Sequence, residues 1–184
     1  MSMSMSNNPF ENVGDARLQT RGDFLSPGGR YTVEITGMRY ELSRKKEYNF
    51  FADFTVVDVE STGEVAPATR LAYLPATAGS LGSWCARAKN DFFLPEIKAF
   101  FYALLGVQSG DPCSSALNAK LARMVEWARG PSNPFAGFRV CVETHNKPRK
   151  ADGGPFTVHR WYPYTDTSYL ARAPALENIL ASVP

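Results

Sequence analysis

A chain of 184 residues, 44% hydrophobic and 21% charged, has the length for one domain with extensions and is too short for two full ones. Its 20 Lys and Arg against 18 Asp and Glu leave a formal net charge of +2, which excludes attraction of polyanions by overall charge. Any such attraction has to come from local clustering.

Residues 1–27 are rich in Ser, Asn and Gly, follow neither a helical nor a strand period, and read as a flexible N-terminal arm. The opening MSMSMSNNPFENVGD has no apolar core of signal-peptide length, and nowhere do about 18 apolar residues run together. The expectation is a soluble, cytoplasmic protein with no membrane partner. After SPGG at 26–29, RYTVEITGMRYEL alternates Tyr31, Val33 and Ile35 with Thr32, Glu34 and Thr36, the period of two of a half-buried strand. A basic turn, SRKKEY, leads to a second strand over 48–60. There Phe50, Ala52, Phe54 and Val56 form one face and Phe51, Asp53, Thr55 and Val57 the other, so aromatics stand on both faces where a half-buried strand needs them on one.

STGE at 61–64 is a turn, and VAPATRLAYL reads as a third, Pro-interrupted strand suited to an edge or a bulge. A small-residue loop, ATAGSLGS, follows, with Trp84 on an extension of the third strand flanked by Arg87 and Lys89. The period then becomes helical: in DFFLPEIKAFFYALLG, Phe93, Ile97, Phe100, Phe101 and Leu104 share a stripe that stops at Gly106. SSALNAKLARMVEWARG gives a second helix with Leu117, Leu121, Met124, Val125 and Trp127 towards the core and Gly130 as its stop. Two strands, 137–146 and 155–163, are joined by the basic, Gly-rich loop KPRKADGG, and PALENILASV makes a short C-terminal amphipathic helix.

The expected organisation is an arm (1–27), a domain (28–165) and a tail (166–184). Three strands, a helical insertion and two strands are the order of the OB-fold, a mainly β, five-stranded Greek-key barrel whose second and third strands bind oligonucleotides or oligosaccharides. An open β-sandwich with a helical insertion gives the same order.

NPFENV, the Pro27–Tyr31 approach to the first strand, FFADFTVVDVESTG, EIKAFFYALLG, NPFAGFRVCVET and PFTVHRWYP together resemble a group of small phage proteins. That group is regarded as single-stranded-DNA-binding, OB-fold factors of replication or recombination. The resemblance covers most of residues 8–163, and it implies binding of single-stranded DNA, or RNA, in the host cytoplasm beside phage replication or recombination proteins. The C-terminus, LENILASVP, lacks the acidic, Phe-ended tip of the best-known bacterial single-strand binders.

Single strands are held by cations that track phosphates and by aromatic faces on which bases stack. Three segments pair the two: Arg39, Tyr40, Arg44, Lys45, Lys46, Tyr48 and Phe51 on the first hairpin; Trp84 with Arg87 and Lys89; and Lys147, Arg149 and Lys150 above His159, Arg160 and Trp161 on the last. Each has a structural alternative, SRKKE as a solvated hairpin tip, Phe51 under a helix or a second subunit, Trp84 and Trp161 as core. The aromatic breadth of the 93–105 helix leads to the expectation of a homodimer or higher homo-oligomer.

An enzyme is not expected. Cys85, Cys113 and Cys141 form no C-x-x-C pair, His145 and His159 have no metal-ligand spacing around them, and no Walker loop, G-x-S-x-G or H-E-x-x-H occurs. No catalytic residue, metal or cofactor is assigned. The rival reading is a non-enzymatic interaction or virion protein on the same barrel.

Overall fold

The computed structural model describes residues 25, 28–44, 46–61, 77–87, 90–130, 132–148, 150, 152–153 and 155–183. Five strands, β1 (Gly29–Leu42), β2 (Tyr48–Ser61), β3 (Leu81–Arg87), β4 (Arg139–Pro148) and β5 (Pro155–Pro163), form one antiparallel sheet in the order β3-β2-β1-β4-β5. Between β3 and β4 lie two helices, α1 (Asn90–Leu104) and α2 (Ser114–Ala128), and after β5 come α3 (Thr167–Leu170) and α4 (Leu176–Ser182).

The period of two in β1 and β2 becomes two distinct faces. Tyr31, Val33, Ile35, Phe50, Ala52, Phe54 and Val56 are all at most 2% exposed, whereas Phe51, Asp53, Thr55 and Val57 lie half-buried on the other side. Register shifts put one extra residue on β2 opposite Thr32/Val33 and one on β1 between Ile35 and Gly37, and such bulges bend and twist the sheet. The bend lets β1 serve two neighbours, pairing with β2 along its length and with β4 only from Arg30 to Glu34.

The expected third strand at VAPATRLAYL lies outside the described residues. Strand three is found at Leu81–Arg87, and its first residues belong to the segment whose small side chains suggest a loop. Gly82 explains the discrepancy. It pairs with Phe54, and a Cβ on it would stand 2.6 Å from that ring, so the strand is small there because an aromatic fills the space.

The closed barrel expected from the strand order is not formed among the described residues, since no backbone pairing joins β3 to β5. Side chains bring the two strands together instead. Trp84 of β3 meets Trp161 of β5 at 5.0 Å between ring centroids, and Phe100 of α1 lies 5.3 Å from the first and 4.9 Å from the second. Proline at both ends of β5 suits a strand with a free edge, because proline has no N–H to donate.

Both expected helices are present. α1 buries Ile97, Phe100, Phe101 and Leu104 and ends at Gly106, whose φ of 68° is the left-handed conformation that stops a helix without a side-chain penalty. Phe93's side chain lies outside the described residues. α2 fully buries Leu117, Met124 and Ala128, while Leu121, Val125 and Trp127 pack more loosely on the core. Phe100 faces the tryptophans and Phe101 faces Phe135 at 5.5 Å.

The expected boundaries at 27 and 166 do not separate the ends from the core. Leu25 is 2% exposed within it, and Ile179 and Val183 are 7% and 8% exposed. Lys120 Nζ donates to Leu180 O at 2.5 Å, tying α2 to α4, and the Tyr169 hydroxyl accepts from the Arg139 N–H at 2.8 Å. The C-terminal segment is packed structure, unlike a free recruiting tail. Among the described residues, no helix is long and apolar enough to cross a membrane.

Candidate nucleic-acid interface

Because the inner face of the sheet carries the core, the outer face is the one on which a ligand can lie. Phe51 stands on it near the first hairpin, level with Arg39 on β1 and Cys85 on β3. The Arg39 guanidinium carbon sits over the Phe51 ring, 4.3 Å from its centroid. Its Nη1 donates to Asp53 Oδ2, its Nε donates to Glu41 Oε1 at 2.8 Å, and Ser83 Oγ donates to Asp53 Oδ1 at 2.7 Å. Burial alone would lower the Arg39 pKa, but the hydrogen bonds to Asp53 and Glu41 outweigh it and raise the value.

Towards β4 the outer face is neutralised by pairs within the chain. Arg139 Nε donates to Glu34 Oε2 at 2.9 Å, and Arg30 reaches Glu143 at 3.7 Å and Glu60 at 3.8 Å. The cations without an ion-pair partner among the described residues include Arg44, Lys46, Lys147, Lys150 and Arg160, all exposed. Arg44, Lys46 and Lys150 stand on the two hairpin connections, and Lys147 at the end of β4 beside the second. β4 runs antiparallel to β1, so the register sends these two tips off opposite ends of β1, and the sheet face lies between them. In the first tip, Lys46 adopts a φ of 58° and its N–H donates to Ser43 O at 2.8 Å, a turn that turns the charged side chains outward.

Several other candidates face inward. Trp84 is 3% exposed, and Trp161 packs against it. Alternation along β5 separates three consecutive candidates, His159 and Trp161 on the inner side and Arg160 on the outer. Trp84 is closed to a base, while Trp161 is half-buried beside it. Tyr40 is a strut between sheet and helix: its hydroxyl donates to Glu126 Oε1 of α2 at 3.0 Å, and Arg129 lies over its ring at 5.1 Å. Burial, then Glu126, pushes its pKa up to about 12. Tyr48 is 57% exposed and touches Tyr40 edge-on, at the hairpin end beyond the core.

Lys45, Lys89 and Arg149 lie outside the described residues, as does the side chain of Arg87. The outer-face aromatic not selected from the sequence is Tyr162, 39% exposed, with its hydroxyl donating to Glu143 at 3.2 Å. Its signal was the period of two, which puts it on the face of Arg160.

His159 stacks on Trp161 at 6.4 Å and 17°, and burial lowers its pKa from 6.5 to about 4. Between those values the unfolded chain binds a proton that the folded chain rejects, so the stabilisation is complete above pH 6.5 and drains away as pH falls towards 4. The shift corresponds to about 3 kcal/mol. Urea melts across that window should show His159→Gln losing this component of the pH dependence; an identical profile in both proteins would mean that His159 titrates normally.

Among the described residues no three His, Cys, Asp or Glu side chains gather at a site for a metal ion. The three cysteines are free thiols, Cys85 exposed and the others half-buried. No protein-family model matches the chain, and no curated protein matches it.

Proposed function

We propose that the chain binds single-stranded DNA, with little sequence preference, across the outer face of an OB-like sheet. The observation that carries the reading is the arrangement of that face: Phe51 and Tyr162 stand on it, and cations without ion-pair partners among the described residues stand at the hairpin tips at either end of β1. Bases stack on the interior of such a platform while phosphates are held at its margins. The strand order supports it further, since pairing β3 with β5 would complete a five-stranded Greek-key barrel. Resemblance of its segments to phage replication and recombination factors supports a role in protecting single strands and removing their secondary structure during those processes. The chemistry is binding, without catalysis.

The structure also selects the assay. Trp84 and Trp161 lie on the inner side, so intrinsic fluorescence is a poor reporter of a ligand on the outer face. The test is anisotropy of a labelled, long oligo-dT at low and high salt, with duplex DNA of equal length as competitor. Saturable binding that weakens with salt and resists the duplex is the expected result. No binding at low salt would end this reading and transfer the outer face to recognition of another protein. A matched oligo-U shows whether RNA is also bound.

A further inference from the structure

We infer that Arg39 takes part in base stacking and does not anchor a phosphate. The inference rests on the single-strand reading and reverses the role that charge alone would give the residue. Arg39 lies on the outer face with its guanidinium carbon over the Phe51 ring, 4.3 Å from its centroid. Two carboxylates occupy its N–H edge: Asp53, fixed in turn by Ser83 at 2.7 Å, and Glu41 at 2.8 Å.

A phosphate approaching this guanidinium would meet both carboxylates and find its charge already balanced. A base would meet something different. The guanidinium side chain remains 22% exposed, a flat, weakly hydrated group held in orientation by its two hydrogen-bonded carboxylates. Guanidinium planes stack on bases as aromatic rings do. The bound arrangement is therefore a three-layer stack of Phe51, Arg39 and one base. Phosphate contact falls to the free cations of the hairpin tips.

The two roles predict opposite behaviour for lysine at this position. Lysine keeps the charge, and with it any phosphate contact, but has no plane. Arg39→Lys should bind oligo-dT roughly fivefold more weakly or worse at every salt concentration, with the slope of log affinity against log salt unchanged, the signature of about 1 kcal/mol of lost stacking. At high salt Arg39→Gln, planar but neutral, should bind better than Arg39→Lys. Binding of the lysine variant within about twofold of wild type, or a shallower slope for it, would overturn the inference while leaving single-strand binding intact. Failure of the wild-type protein to bind would instead remove the proposed function itself. Urea melts establish that both variants are folded.

Discussion

Alanine at Arg44, Lys46, Lys147 and Lys150 together should reduce the salt slope of single-strand binding by about 2.8, since each phosphate contact on a single strand contributes about 0.7. At about 50 mM salt the same change corresponds to an affinity loss of roughly three orders of magnitude. The expectation follows from where charge remains uncommitted: these four side chains are exposed and have no ion-pair partner among the described residues, while Arg30, Arg39 and Arg139 are held by carboxylates. The variant also takes the formal net charge from +2 to −2, which weakens binding of any polyanion. A second variant separates the two effects. Alanine at Lys98, Arg123, Arg129 and Arg172, all on or beside the helices, makes the same change in net charge outside the strands and their hairpin connections. A loss confined to the first variant locates the phosphates at the hairpin tips; equal losses would show that the tips have no special part.

How far the sequence leads to this interface depends on whether a feature is local. The two faces of β2 are written in its period of two, and α1, β4 and β5 follow from patterns a few residues long. The same period, applied to His159, Arg160 and Trp161, is enough to separate the arginine from its neighbours and to bring Tyr162 to the outer face. Strand three is legible only from Trp84, on the expected extension, because Gly82 and Ser83 signal a loop unless the Phe54 ring against Gly82 is already known. Nor was the clamp on Arg39. It depends on the bulge at Ile35/Gly37, which brings Arg39 level with Phe51 and within reach of Asp53, and register across a bulge leaves no mark in composition. The sequence therefore counts Arg39 among the binding cations, whereas its charge is matched by Asp53 and Glu41. The absence of β3–β5 pairing is equally long-range, with α1 supplying the ring that meets both tryptophans.

Phe50 and Phe51 are adjacent, chemically identical and expected to fail in opposite ways. Phe50 is 1% exposed and lies among Tyr40, Trp84, Phe100 and Phe101 at centroid distances of 6.0 to 6.4 Å, so it touches strand, seam and helix at once. Truncating it leaves a cavity where close-packed rings cannot all move in, and Phe50→Ala should cost about 3–5 kcal/mol. Phe51→Ala removes a half-buried ring and its contact with Arg39, a change of about 1 kcal/mol at an exposed site. Its larger effect should be on the ligand, with oligo-dT affinity falling at all salts because the support under Arg39 is gone. Urea melts of the two variants, with anisotropy titrations of Phe51→Ala, read both outcomes. Equal stability losses would make Phe51 a core residue and withdraw the outer face as a platform. A fully stable Phe51→Ala that binds as wild type would keep the sheet geometry and move the stacking surface to Tyr48 or Tyr162, the exposed aromatics that remain on the sheet.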